Sequence, residues 1–162
     1  MSVWFCSDLH LGHKGIELFR KHVSSQEDNE KQILDCWSQV VTKRDDVYVL
    51  GDACFSRDAV DKIATLEGRK HLIRGNHDKC NTWVYLTAFE EVYGLLKYKE
   101  FWLSHAPIHP DELRGKINLH GHVHYSSIND ARYFNCCVEN IMSLYNRPLI
   151  RLEEIRHIIS SR

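Results

Sequence analysis

The chain has no apolar run approaching the ~20 residues that a membrane-spanning helix needs. It has no Cys-x-x-Cys pair, no basic tract, no linker, no internal repeat and no low-complexity segment. Its formal net charge is only −1. Each absence removes a class of reading. Without a long apolar run, no membrane partner is expected. The opening "MSVWFCSDLH" lacks a basic patch followed by a long apolar stretch, so it does not read as a secretory signal, and a cytoplasmic location is expected. Cys6, Cys36, Cys54, Cys80, Cys136 and Cys137 are unpaired by spacing and mostly in apolar surroundings, which fits reduced, buried thiols better than a disulfide framework. A nearly neutral chain does not indicate a broad surface for duplex DNA, although a local basic pocket is still allowed.

What is present is one domain's worth of globular sequence. The 162 residues are 43% hydrophobic and 27% charged, enough to bury a core, so residues 1–162 are expected to form a single domain. Residues 2–7 read as a strand. The polar stretch after it, "GIELFRK" and "HVSSQED", reads as a loop or short helical turn. Ser25 with Asp28 resembles a cap, and Ile33, Leu34, Trp37, Val40 and Val41 recur at helical spacing, predicting a helix over about 27–42. "VYVLG" is a strand stopped by Gly51; Ser56 could cap a helix striped by Ala59, Val60, Ile63 and Leu66; "KHLIRG" is a third strand and "TWVYLTAF" a further helix. From residue 91 the pieces "EVYGLLKY", "EFWLSH", "INLHGH" and "ARYFNCC" are strand-like, and "RPLIRLEEIRHII" reads as a closing strand edge and helix. Alternation first and strands later predict a sheet core with helices outside, two packed sheets being one form of it.

Histidine is the anomaly, with eleven copies. Many of them fall in five fragments, each following an apolar run: "DLH" (8–10), "GD" (51–52), "GNHD" (75–78), "SHAP" (104–107) and "HGHVH" (120–124). Asp8 and His10 are two apart, as are His122 and His124, so each pair would share a face if its strand continued. Asp52 and Asn76 each follow a glycine at a strand end, where tight turns can aim side chains inward. Taken singly, each fragment reads as loop decoration or, for Asp78, as a cap. Together and in order they read as metal ligands. Carboxylates and imidazoles without thiolates suit Mn, Fe, Zn or Ni. Seven candidate groups are too many for one ordinary ion and suit two ions ~3.5–4 Å apart with one bridging carboxylate.

The set "DLHLG", "GD", "GNHD", "SHAP" and "GHVH" resembles the calcineurin-like metallophosphoesterases. The matching span runs from 8 to 124, and "DLHLGH" with the late "NRPLIRLEEI" is similar to a small, single-domain bacterial and phage branch. The resemblance implies an α/β fold of αββα type, two mixed β-sheets flanked by helices. It implies that Asp8, His10, Asp52 and His124 hold one divalent ion and that Asp52, Asn76, His105 and His122 hold the other, Mn2+ being the first expectation. It gives His77 the phosphoryl group to face and an alkoxide to protonate. One departure stands out. Where the family's phosphoprotein phosphatases read GDxxDRG, this chain reads "GDACFSR", with Phe55 in place of the second Asp. That lowers the expectation of a Ser/Thr protein phosphatase and leaves Asp78 as a neighbour that could orient His77.

Beyond the ligands, His13, Lys14, Arg74 and His109 could form an outer ring for substrate, with Arg74 the best phosphate clamp; each reads equally well as a solvated loop residue. His120 would share the face of His122 and could give a supporting hydrogen bond. The expected reaction is metal-dependent hydrolysis of a small organic phosphate, with a slight preference for a phosphodiester or nucleotide. A nuclease or nucleic-acid end-processing phosphatase uses the same chemistry, but the charge does not indicate it. A non-catalytic metal-binding interaction module is the third reading, and the full ligand set disfavours it. Oligomeric state is not addressed by the residues.

Overall fold

Period-two alternation in the first strand sets the layers. In β1 (Val3–Cys6), Trp4 and Cys6 join one buried cluster and Val3 and Phe5 join another. β2 (Asp46–Val49) repeats the split, with Val47 and Val49 on the first side and Tyr48 on the second. A sheet buried on both faces needs a layer on each side, and the rest of the chain supplies them. The computed structural model describes residues 1–161.

The first sheet adds β3 (Arg69–Ile73), β4 (Glu91–Tyr93) and the two-residue β9 (Ile150–Arg151), in the order β4-β3-β2-β1-β9. Its first four strands are parallel, and β9 is antiparallel to β1. The second sheet is β5 (Leu95–Tyr98), β6 (Phe101–Ser104), β7 (Ile117–His120) and β8 (Tyr133–Asn135), with β6, β7 and β8 parallel and β5 antiparallel to β6. Phe5, Leu50 and Ile73 meet Phe101, Leu103, Leu119 and Phe134 between the two sheets. The other face of the first sheet is covered by α1 (Gln26–Val40) and α2 (Arg57–Ala64), through Ile33, Trp37, Ala59, Val60 and Ile63. α4 (Val138–Tyr145) and α5 (Leu152–Ser160) close the molecule with Val138, Ile141, Leu152 and Ile155. This is the expected αββα arrangement of two mixed sheets flanked by helices. No helix among the described residues is long and apolar enough to cross a membrane.

The helix starts follow local chemistry. Ser25 Oγ accepts the Asp28 N–H at 3.1 Å and Ser56 Oγ accepts the Ala59 N–H at 3.2 Å. Two expectations need correction, and one helix was not foreseen. "TWVYLTAF" gives only one short α-helical stretch, α3 (Thr82–Tyr85), which runs on into turns closed by the Ala88 and Phe89 N–H groups on the Tyr85 carbonyl. "EVYGLLKY" is not one strand: it breaks at Gly94, giving β4 to the first sheet and β5 to the second. α4 had no counterpart in the sequence reading.

All the parallel strands end on one edge, and their loops run on side by side. The Asp8 N–H bonds the Gly51 carbonyl at 2.9 Å and the His10 N–H bonds the Asp52 carbonyl at 3.0 Å. In the second sheet the Gly121 N–H bonds the His105 carbonyl at 2.8 Å. The Val138 N–H bonds the Ser7 carbonyl at 3.1 Å, tying the two sheets together at this edge.

Candidate metal centre

The loops leaving β1, β2, β3, β6 and β7 meet at that edge. Asp8 is fully buried. Its Oδ2 accepts from the Ser7 hydroxyl at 2.6 Å and from the His122 N–H at 2.9 Å. Its Oδ1 has no hydrogen-bond partner and lies 3.6 Å from His10 Nε2 and 3.6 Å from His124 Nε2. The Asp52 carboxylate is just as divided. Oδ1 accepts the His77 N–H at 2.8 Å, while Oδ2 stands 3.7 Å from His10 Nε2 and 3.5 Å from His105 Nε2. His105 Nδ1 lies 2.9 Å from the Leu50 carbonyl, which turns Nε2 inward toward Asn76 Oδ1 at 2.8 Å and His122 Nδ1 at 3.2 Å. Asn76 Oδ1 is also 3.1 Å from His122 Nδ1. All seven predicted ligands are therefore brought together.

Electrostatics and strain both mark the spot. Burial works against the charged carboxylates, but His10, the Ser7 hydroxyl and the His122 N–H hold Asp8 well below the ordinary range. Burial likewise opposes Asp52, and His105 with the His77 N–H outweighs it and lowers its pKa. His105 is raised despite burial because Asp52 and Asp8 face it. Positive charge is favoured here, as a cation site requires. Asp8, His10, Asp52, His122 and His124 also have left-handed backbones, with φ of 58°, 51°, 51°, 72° and 50°. Such strain, roughly 1–3 kcal/mol per residue, gathers at functional sites.

Two groups of donor atoms could hold a metal: Asp8, His10 and His124, and Asp8, Asp52 and His105, each with its ligand atoms within 4.8 Å of one another. Asp8 Oδ1 and His10 Nε2 are buried without a hydrogen-bond partner among the described residues and offer a cation an oxygen and a nitrogen donor, so the residues fit the ion. Asp8 is common to both groups. Asp52 lies between His10 and His105, where a bridging carboxylate belongs.

The residues around the ligands sort differently from their sequence neighbours. The ring of His77 faces the centre, 6.0 Å from His10, and stacks on Phe55 at 5.2 Å with an interplanar angle of 19°. Phe55, the departure from the phosphatase motif, is thus a shelf for His77 and also packs on His13 at 4.6 Å. Asp78 does not orient His77 through its carboxylate. That group is buried and accepts from the N–H groups of Asp52 at 2.8 Å, Ala53 at 2.9 Å, Cys54 at 3.3 Å and Gly75 at 2.8 Å. Arg74 is not free to clamp a phosphate: it donates to the Asp78 carbonyl at 2.9 Å, the Cys80 carbonyl at 2.7 Å and the Thr82 hydroxyl at 3.2 Å. His109 is exposed beside Asp111, Lys14 is exposed, and neither lines the cavity at the centre. His13 does line it. His120 is buried with Nδ1 2.9 Å from the Gly121 carbonyl, bracing the turn before His122. Burial raises the thiol of Cys54, which leaves it a packed residue.

Sequence reasoning missed Arg20, Asn29 and Glu139. The three are buried together behind the Asp8–His10 turn, and Glu139 Oε1 reaches His124 Nδ1 at 3.2 Å. No local pattern signalled them, since Arg20 and Glu139 stand 119 positions apart.

A two-sheet α/β sandwich with carboxylates and imidazoles gathered at its strand ends defines a metal-dependent hydrolase. The sequence profile of the calcineurin-like phosphoesterases matches residues 1–153, and the chain belongs to that family. Members generally bind two divalent metals. The chain is 31% identical over 160 residues to the Gene 66 protein of Mycobacterium phage L5, covering 76% of this chain and 77% of that one. It is 30% identical over 142 residues to an uncharacterized protein of Methanocaldococcus jannaschii, covering 82% of this chain and 75% of that one. Among solved structures it resembles a protein of unknown function from Aquifex aeolicus, with a TM-score of 0.76, 25% identity, and coverage of 97% of this chain and 98% of that one.

Proposed function

We propose that the chain hydrolyses small phosphate esters at a two-ion centre, with Mn2+ as the working metal and a slight preference for diesters or nucleotides. The observation that carries this reading is the placement of Asp52 between the two imidazole groups, with Asp8 Oδ1 unpartnered beside it. When bound, paired divalent cations acidify water and offset the charge of the phosphoryl oxygens. The chain's own residues do the rest. Asp8, His10 and His124 would hold one ion, and Asn76, His105 and His122 the other, with Asp52 between them. His77, steadied by Phe55, donates a hydrogen bond to the transferring group and hands a proton to the leaving alkoxide.

A cavity of about 440 Å³ adjoins the centre, lined in part by His13, Ile16, Phe19, His77 and Tyr125. Its size suits the organic part of a small ester, and its aromatic edge suits a ring. The near-neutral charge supports the same choice over a nucleic acid.

The test is turnover of bis(p-nitrophenyl) phosphate against p-nitrophenyl phosphate with Mn2+. Faster release from the diester is expected. Turnover of the monoester alone would remove the diester preference. No turnover across a broad phosphate panel would favour the interaction-module reading.

A further inference from the structure

Three polar side chains outside the ligand set are buried, with Glu139 at the wall of the cavity beside His124. Arg20 is 0% exposed, Asn29 1% and Glu139 5%. Arg20 donates to Glu139 Oε1 twice, from Nε at 2.9 Å and Nη2 at 2.7 Å. Nη2 also donates to the Asp8 carbonyl at 2.6 Å. Nη1 donates to Asn29 Oδ1 at 2.7 Å and reaches the Leu9 carbonyl at 3.4 Å, while Asn29 Nδ2 donates to that same carbonyl at 3.1 Å. The two carbonyls so held are those between Asp8 and His10, both left-handed. Glu139 meets His124 Nδ1 at 3.2 Å, which leaves His124 Nε2 facing Asp8 Oδ1.

Burying an Arg–Glu pair is costly, and here the guanidinium offsets that cost by satisfying the buried Asp8 and Leu9 carbonyls, which an apolar pair would strand. Glu139 Oε2 has no side-chain partner among the described residues, and Oε1 is the atom that joins Arg20 to His124. The opposite half of the centre is held otherwise: the His105 ring rests by Nδ1 on the Leu50 backbone carbonyl, and the buried Asp78 carboxylate gathers the loops that carry Asp52 and Asn76. The two halves therefore differ in what positions them.

We propose that the buried Arg20–Glu139 pair is the positioning device of one half of the centre, Arg20 fixing the Asp8–His10 turn and Glu139 fixing the ring of His124. This rests on the two-ion reading above. Second partners of this kind set ring orientation and ligand basicity, and their loss lowers metal affinity roughly 10–100-fold.

The experiment is a Co2+ titration of the metal-free protein, read by visible absorption and calorimetry, for wild type, Glu139→Gln, Glu139→Ala and Arg20→Lys. Wild type should take two equivalents. Glu139→Ala should keep one equivalent at wild-type affinity and weaken the other about 10–100-fold. Glu139→Gln, which retains an acceptor for His124, should fall between. Arg20→Lys should weaken the same equivalent most, since His10 lies on its side of Asp8 while Asp8 belongs to both donor groups. Equal weakening of both equivalents, or of neither, overturns the proposal. So does failure of all three variants to fold, which would make the pair purely structural. Wild type that takes fewer than two equivalents refutes the two-ion reading itself, and is told apart because it fails before any variant is compared.

Discussion

His77 and Asp78 are adjacent in the loop after β3, yet their side chains leave it in different directions. The His77 ring stands on Phe55 at the cavity wall. The Asp78 carboxylate turns inward and gathers backbone N–H groups from the β2 loop and from Gly75. Replacing each should separate activity from stability. Asp78→Ala leaves several buried N–H groups without an acceptor, at ~1–3 kcal/mol each, so a loss of about 3 kcal/mol or more is expected in urea unfolding with chelator present. His77→Ala should leave that midpoint within ~0.5 kcal/mol, since the ring packs at an open wall. It should also cut turnover by ~100-fold while metal binding persists. A stable Asp78→Ala protein, or a fully active His77→Ala protein, would reverse the assignment. The ligand types were legible because each stands beside a strand end. The roles of Asp78 and Arg74 were not, because adjacency along the chain says nothing about which way a side chain turns.

At the scale of elements, the centre depends on how closely the β1 and β7 loops approach. Gly121 lies against Ser7 and Asp8 so tightly that a methyl group there would overlap the Ser7 hydroxyl and the Asp8 carboxylate. Gly121→Ala is expected to force those loops apart. The overpacking should cost ~1–3 kcal/mol in urea unfolding, and Mn2+ binding by calorimetry should weaken at the Asp8 group first. Unchanged stability and affinity would show that the loops have slack. The strands and long helices were readable from apolar periodicity and from caps such as Ser25 and Ser56. Two features were hidden for physical reasons. "EVYGLLKY" has one strand-like texture throughout, and only the packing of two sheets distinguishes the halves on either side of Gly94. α4 begins at Cys137 without a side-chain cap, so nothing local announces the helix that carries Glu139.

For the whole molecule, the charged groups at the strand ends make stability depend on pH in a way that metal should change. Asp8, Asp52 and Glu139 have folded pKa values below their ordinary ones, despite the burial that opposes each. Their contribution is present above the unfolded value of ~4 and is lost as pH falls through the folded values. His105 and His124 run the other way. His124 is raised chiefly by Glu139, and His105 by Asp52 and Asp8 against its burial. Their contribution is complete below the unfolded value of ~6.5 and is lost as pH rises through the folded ones. These five groups favour metal-free protein most between about pH 4 and about pH 6.5, against Asp78, raised by burial, and His120 and His13, lowered by burial, and the five are expected to prevail. Mn2+ competes with those imidazole protons, because a ligating histidine must be neutral. Adding it should raise the melting temperature most above about pH 6.5, moving the maximum toward alkaline pH. Thermal melts over about pH 3 to about pH 9, with chelator and with Mn2+, read this directly. Parallel profiles offset by a constant at every pH would mean that the ion does not replace protons on these residues, and would place the metal elsewhere.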